Sequence, residues 1–273
     1  MNCDWNSLLS IIPPWLRAET DRYGRDTLQE LRLRIGRPPM LICKDRDLTV
    51  SGVVRKEDLY HVINLASGYS PWNAWTMSSG YLTASGGHRI GICGQAVIKE
   101  GEMTTVKDPT SLCIRIARDI PGIADKLRDV GRSCLIIGRP GSGKTTLLRD
   151  LIRVRAATRN VSVVDERGEL FPKGFDTGIR TDVLTGHRKR EGILQLLKTM
   201  SPSIIAMDEI TSPEDCDALL SAHRCGTDLL ATAHAEQKED LRKRSIYRPL
   251  MEEHIFDTLI ILHADKSWEL ERM

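Results

Sequence analysis

The chain has 273 residues, 28% of them charged and 41% hydrophobic, and a formal net charge of +2 from 39 basic and 37 acidic side chains. That length is too great for one small core and fits two domains, and the composition is that of a folded globular protein rather than a disordered or collagenous one. The balanced charge gives no strong case for a nucleic-acid binder and leaves room only for local basic patches.

The opening Met1-Asn2-Cys3-Asp4-Trp5 lacks the basic-then-apolar order of a secretory signal. Seven cysteines are scattered with no C-x-x-C pair, and neither they nor the histidines show metal-ligand spacing. Reduced thiols in a cytoplasmic setting are expected. The longest apolar runs, such as Leu259-Ile260-Ile261-Leu262, are too short to span a bilayer, so any membrane association is expected to be peripheral.

Taken in chain order, residues 6–22 carry Leu8, Leu9, Ile12 and Leu16 around Pro13-Pro14, which predicts two short helical pieces split by the prolines. Residues 30–36 alternate apolar and charged, the pattern of a half-buried strand, and Met40-Leu41-Ile42-Cys43 resumes as a second strand. Leu59, Val62 and Ile63 fall at helical spacing within 56–65. The glycine-rich stretch from Gly80 to Ile98 reads as β-hairpins. Pro121-Gly122 is the best linker signal, dividing the chain into an N-terminal α+β domain at 1–118 and a second domain at 119–273. Beyond it, apolar runs at 161–165, 203–208 and 228–232 alternate with helical segments at 191–200 and 213–225. That order predicts α/β architecture, a mostly parallel sheet with helices on both faces.

The most specific signal is Gly138-Arg139-Pro140-Gly141-Ser142-Gly143-Lys144-Thr145, which reads G-x-x-x-x-G-K-T. The apolar run 134–137 precedes it and a helical segment starting at Thr146 follows, the strand–loop–helix context that a phosphate-cradling loop needs. Its backbone N–H groups and the helix N-terminus favour an anion, Lys144 would reach the terminal phosphates, and Thr145 would ligate Mg²⁺. No guanine-reading Asn/Thr-Lys-x-Asp motif occurs, so ATP is expected.

Four apolar residues then end in Asp208-Glu209, which would deliver Asp208 to the Mg²⁺ shell and Glu209 to the attacking water. Glu166 and Glu169, in the acidic cluster 165–169, compete with Glu209 for the role of base, or belong to a solvated loop. His234, at the end of another apolar strand, either senses the γ-phosphate or is an ordinary structural histidine. Phosphoryl transfer also benefits from added positive charge; Arg89, Arg115, Arg118, Arg167, Arg180 and Arg224 are candidates, and charge alone selects none of them.

Several longer stretches share an order that is more specific than the loop. They are Glu30-Leu31-Arg32-Leu33-Arg34-Ile35-Gly36-Arg37-Pro38, Gly86-Gly87-His88-Arg89-Ile90-Gly91, Ile114-Arg115-Ile116-Ala117-Arg118, Val164-Asp165-Glu166-Arg167-Gly168-Glu169, Gly178-Ile179-Arg180-Thr181-Asp182-Val183-Leu184, Met200-Ser201-Pro202 and Ala231-Thr232-Ala233-His234. Together with the loop they resemble the type II/IV secretion ATPase superfamily, the hexameric motors of secretion and pilus machines. The resemblance implies a RecA-like P-loop NTPase domain preceded by a smaller α+β domain that packs on the nucleotide of an adjacent subunit, which brings Arg89 and Arg115 forward. It implies an ATP-hydrolysing homo-oligomeric ring working with membrane-embedded channel components, 165–169 as the acidic box and 232–234 as the histidine box. The chain departs in having Asp208-Glu209 where pilus motors commonly have Gly-Glu, and in lacking a four-cysteine zinc element. A nucleotide-regulated nucleic-acid-binding module and an ATP-binding scaffold with little turnover are the competing readings. Aromatics at 5% supply few base-stacking platforms for the first, and intact Lys144, Thr145, Asp208 and Glu209 oppose the second.

Overall fold

The computed structural model describes residues 3–68, 80–99, 102–172 and 174–273. The chain divides into two compact units, Met1–Asp119 with Pro172–Phe175, and Ile120–Phe171 with Asp176–Met273.

The first unit runs α1 (Trp5–Ile11), α2 (Pro14–Gly24), β1 (Leu28–Arg34), β2 (Met40–Cys43), β3 (Asp47–Thr49), α3 (Lys56–Ala66), β4 (Tyr81–Thr83), β5 (Arg89–Lys99) and β6 (Glu102–Arg115). Asp4 caps α1 by accepting the Ser7 N–H at 3.0 Å. Ile12, held extended at ψ 156° before Pro13, ends α1, and Pro14 sits in the first turn of α2. The predicted split at the prolines is therefore a real break. The strands form an antiparallel sheet in the order β3-β2-β1-β6-β5-β4. A register shift between Leu28 and Glu30 lets Leu28, Leu31 and Leu33 all point inward although their spacing is not a strict alternation. Leu8, Ile12 and Leu16 from the first two helices and Leu59 and Val62 from α3 join those leucines in one core. Each such side chain contributes about 2 kcal/mol on leaving water.

The second unit runs β7 (Cys134–Gly138), α4 (Lys144–Ala156), β8 (Val161–Asp165), β9 (Thr181–Thr185), α5 (Lys189–Thr199), β10 (Ile204–Met207), α6 (Pro213–Arg224), β11 (Asp228–Ala233), α7 (Lys238–Lys243), α8 (Arg248–Glu252), β12 (Thr258–Leu262) and β13 (Trp268–Arg272). Its sheet has the order β13-β12-β7-β11-β10-β8-β9, parallel except for the antiparallel β12–β13 pair. Alternate residues of the buried strands feed opposite faces. Leu135, Ile205 and Leu229 pack with Ile193 of α5 and Leu219 of α6, while Ile136, Ala206 and Leu230 pack with Leu148 and Leu151 of α4. Continuous apolar runs are what a parallel sheet covered on both faces requires. The edge strand β9, Thr181-Asp182-Val183-Leu184-Thr185, carries too little apolar pattern to read from sequence. Strand β11 lies between β7 and β10, so its C-terminal end is flanked by both of theirs.

His88 closes the first unit internally. It is fully buried; its Nε2–H donates to the Asp4 carbonyl at 3.0 Å and its Nδ1 accepts the Ala117 N–H at 3.3 Å. The Nδ1 contact needs the neutral ring, and burial pushes the His88 pKa below its ordinary 6.5. A histidine whose folded pKa is depressed stabilises above its unfolded pKa and loses that stabilisation as pH falls. Thermal melts of the first unit should be flat above neutrality and decline as pH drops below 6.5. His88→Gln should remove that share of the decline, at the cost of a lower plateau.

Candidate nucleotide site

The loop between β7 and α4 takes its shape from its glycines. Gly143 is the residue before α4 and has φ +104°, a left-handed conformation that other residues rarely adopt. A Cβ on Gly138 would stand 2.5 Å from the Leu262 carbonyl oxygen and 2.7 Å from Ser142 Oγ. Gly143 offers α4 no side-chain cap, which leaves the first-turn N–H groups of the helix to an anion. The Lys144 ammonium is tied back into the loop, donating to the Gly138 carbonyl at 2.9 Å and the Arg139 carbonyl at 3.1 Å. Burial pushes its pKa below the usual lysine value, and Asp208 and Glu209 counter that shift.

A cleft of about 400 Å³ opens beside the loop. Pro140, Gly141, Gly143, Lys144, Thr145 and Thr146 line it from one side, and Asp208, Glu209, Thr232 and His234 from the strand ends. Because β11 is inserted between β7 and β10, His234 at its end falls between lysine and glutamate. Its Nδ1 stands 3.2 Å from Lys144 Nζ and its Nε2 2.8 Å from Glu209 Oε1. An ammonium only donates, so Nδ1 accepts, and Nε2 carries the proton given to Glu209.

Asp208 is held from two sides: Thr145 Oγ1 donates to one carboxylate oxygen and Thr232 Oγ1 to the other, each at 2.6 Å. Thr232 Oγ1 also accepts the Glu209 N–H at 2.8 Å. Glu209 sits in the left-handed region at φ +55°, and its carbonyl accepts from Lys189 Nζ.

The acidic cluster divides by role. Asp165 is buried and accepts backbone N–H groups from Glu169, Leu170 and Phe171 at 3.0, 2.9 and 2.9 Å. From α4, Arg149 donates to the Glu169 carbonyl at 3.0 Å and to the Leu170 carbonyl. Asp165 thus folds the turn, and it lines with Glu166, Arg167, Glu169, Asp208, Glu209 and Lys189 a separate cavity of about 30 Å³. Arg139 pairs with Glu236 at 2.7 Å on the surface. Arg89 and Arg115 belong to the first unit, opposite one another across β5 and β6. The Arg89 guanidinium lies 3.9 Å above the Tyr81 ring, and Arg115 Nε lies 3.4 Å from Glu30.

These residues fit a magnesium nucleotide. Ser142 Oγ is buried with no hydrogen-bond partner among the described residues, and the loop has open N–H groups for phosphate. Thr145 Oγ1 and Asp208, already 2.6 Å apart, are the pair that would hold Mg²⁺. Thr232 as the link between the Asp208 carboxylate and the Glu209 backbone, and Lys189 behind Glu209, are not evident from sequence. Both depend on contacts twenty residues or more apart, for which spacing offers no sign.

The strand order and the loop define a RecA-like P-loop protein. The chain belongs to the family described as sporulation stage III, protein AA, whose model matches residues 8–270. It is 35% identical to stage III sporulation protein AA of Bacillus subtilis (strain 168), over 96% of this chain and 92% of that one. Among solved structures, it is similar to the Legionella pneumophila ATPase DotB, with TM-score 0.60, 17% identity, and coverage of 96% of this chain and 80% of that one. It is also similar to the pilus retraction motor PilT with bound ADP, at TM-score 0.63 and 13% identity, covering 93% of this chain and 81% of that one. Both show the shared fold.

The division of the acidic cluster is measurable. Asp165→Ala leaves three N–H groups without their acceptor and should lower the unfolding free energy of the second unit by about 3 kcal/mol. Glu166→Ala, at an exposed position, should change it by less than about 0.5 kcal/mol in the same urea titrations.

Proposed function

We propose that this chain is an ATPase that hydrolyses ATP to ADP and phosphate as the motor of a sporulation-associated secretion or channel complex, working as a homo-oligomeric, hexameric ring. The observation that carries the reading is the unbroken contact series Lys144–His234–Glu209, set beside an Asp208 already gripped by Thr145. It joins the group that reaches the terminal phosphates to the group that orients water.

In this reading Lys144, Ser142 and the N–H groups at the start of α4 bind the phosphates. Bound Mg²⁺ would neutralise phosphate charge and align the γ-phosphoryl for in-line attack. Thr145 and Asp208 hold their oxygens in place for it. Glu209 accepts a hydrogen bond from the attacking water and takes its proton as the new P–O bond forms and the bond from the γ-phosphorus to the bridging oxygen breaks, with ADP as the leaving group. His234 touches both Lys144 and Glu209, so removal of the terminal phosphate from Lys144 alters the hydrogen bond that Glu209 receives, a local route from hydrolysis to a change in the strand ends. Arg89 and Arg115 complete the charge around the γ-phosphate of a neighbouring subunit.

The sporulation setting comes from family membership, and the membrane part of the complex from partners. No helix among the described residues is long and apolar enough to cross a bilayer. The chain would act peripherally, at the cytoplasmic face of a mother-cell membrane.

The test combines chemistry and assembly. Lys144→Ala should abolish turnover with native far-UV circular dichroism, because it removes the charge on the terminal phosphates. Arg89→Ala or Arg115→Ala should lower turnover more than ATP affinity. Mixing either arginine variant with Lys144→Ala should restore partial activity by pairing an intact loop with an intact arginine. Turnover by Lys144→Ala within a few-fold of wild type contradicts the site, and no rescue on mixing contradicts the shared site.

A further inference from the structure

Lys189, the first residue of α5, belongs to none of the motifs around the loop, yet its side chain is only 11% exposed and ends behind Glu209. Its Nζ donates to the Glu209 carbonyl and, at 3.3 Å, to Thr211 Oγ1, and stands 3.6 Å from Asp215 Oδ2. Asp215 is itself committed. It accepts the Thr211 N–H at 2.9 Å and the Ser212 N–H at 3.2 Å, in the capping box that starts α6. A buried ammonium in this position does not search for a partner, because it donates to a carbonyl and a hydroxyl and has a carboxylate 3.6 Å away as countercharge.

The residue it grips has an unusual backbone. Glu209 has φ +55°, and for a residue with a side chain the left-handed region costs about 1–2 kcal/mol unless neighbours hold it there. Two groups do so. Thr232 Oγ1 takes the Glu209 N–H at 2.8 Å, and Lys189 takes the carbonyl on the other side. With both peptide groups pinned, the Glu209 side chain has one exit direction, and its Oε1 meets His234 Nε2 at 2.8 Å.

Lys189 also forms a wall of the cavity of about 30 Å³ that Asp165, Glu166, Glu169, Asp208 and Glu209 border. That volume holds one or two waters. Five carboxylates around so small a space repel one another, and Lys189 and Arg167 are the cations that line it.

From this geometry we infer that Lys189 is a positioning residue for the hydrolytic step. It holds the backbone of Glu209 in the left-handed conformation that aims its carboxylate at the reacting water, and it supplies countercharge to the carboxylates behind it. The inference rests on the reading of Glu209 as the group that activates water. Lys189 does not line the loop-side cleft and meets it only through the backbone of Glu209, so it acts on turnover through Glu209 and leaves nucleotide binding alone.

The experiment is a double-mutant cycle on the full chain, with MgATP turnover and binding of a fluorescent ATP analogue measured for Lys189→Met, Lys189→Arg, Glu209→Gln and Lys189→Met/Glu209→Gln. Lys189→Met should lower kcat on the order of tenfold, with KM and analogue affinity within about twofold, because misaiming a base costs rate and not binding. Lys189→Arg, which keeps a donor and a charge, should recover kcat to within about threefold. In the Glu209→Gln background the methionine substitution should add no further loss, since there is no base left to aim. Multiplicative losses in the double variant, a fall in analogue affinity that matches the fall in kcat, or an arginine variant as impaired as methionine would each overturn the inference. Full turnover by Glu209→Gln would instead remove the reading beneath it, a result distinguishable because the Lys189 variants are then judged against an active reference. If Lys189→Met does not fold, Lys189→Gln, which keeps a donor and loses the charge, and its combination with Glu209→Gln carry the same comparison.

Discussion

The Thr232 hydroxyl makes two hydrogen bonds on which the rest of the site depends. It accepts the Glu209 N–H at 2.8 Å and donates to Asp208 at 2.6 Å, so one side chain on β11 sets two consecutive residues that leave β10. Threonine suits the task. Its branched Cβ is at home in a strand, and its hydroxyl can donate and accept at once. Being fully buried, it works where water does not compete for either partner.

That contact exists because of strand order. Were β7 and β10 adjacent, Lys144 and Glu209 would lie side by side with no residue between them. The insertion of β11 makes Thr232 and His234 neighbours of both, Thr232 on Asp208 and the Glu209 backbone, His234 on Lys144 and the Glu209 carboxylate. The sheet that enforces this is buried on both faces, so the strand ends cannot shift independently of the helices packed on them. The unfavourable backbone of Glu209 is the consequence: a chain turning from β10 toward α6 while pointing its carboxylate back at His234 passes through positive φ. The surrounding hydrogen bonds offset that cost of about 1–2 kcal/mol.

Much of this is legible in the amino-acid sequence, for identifiable reasons. The strand–loop–helix around 134–146, the prolines separating α1 from α2, and the apolar runs of β8, β10 and β11 are local signals, and each forms the expected element. The cleft gathers Lys144 and Thr145, singled out by the loop motif, with Asp208, Glu209 and His234, singled out by their places at strand ends. Other features are not readable. The polar edge strand β9 and the three-residue β3 lack a pattern. The acidic cluster looks uniform as a string of letters, whereas burial gives Asp165 a folding task and leaves Glu166 exposed. Lys189 is a charged residue opening a helix, a position where charge ordinarily means solvent, and only the turn after β10 brings it to Glu209. Pairing across twenty residues or more is decided by topology, which no window of sequence contains.

If a single hydroxyl sets both the Asp208 carboxylate and the Glu209 backbone, Thr232→Val is the most direct probe, because it keeps the shape and removes both hydrogen bonds. Single-turnover hydrolysis and MgATP affinity should be measured for this variant beside Thr232→Ser. The valine variant should bind MgATP within about threefold of wild type and hydrolyse it on the order of a hundredfold more slowly, with serine restoring most of the rate. A valine variant that hydrolyses ATP at the wild-type rate would contradict the alignment role of Thr232.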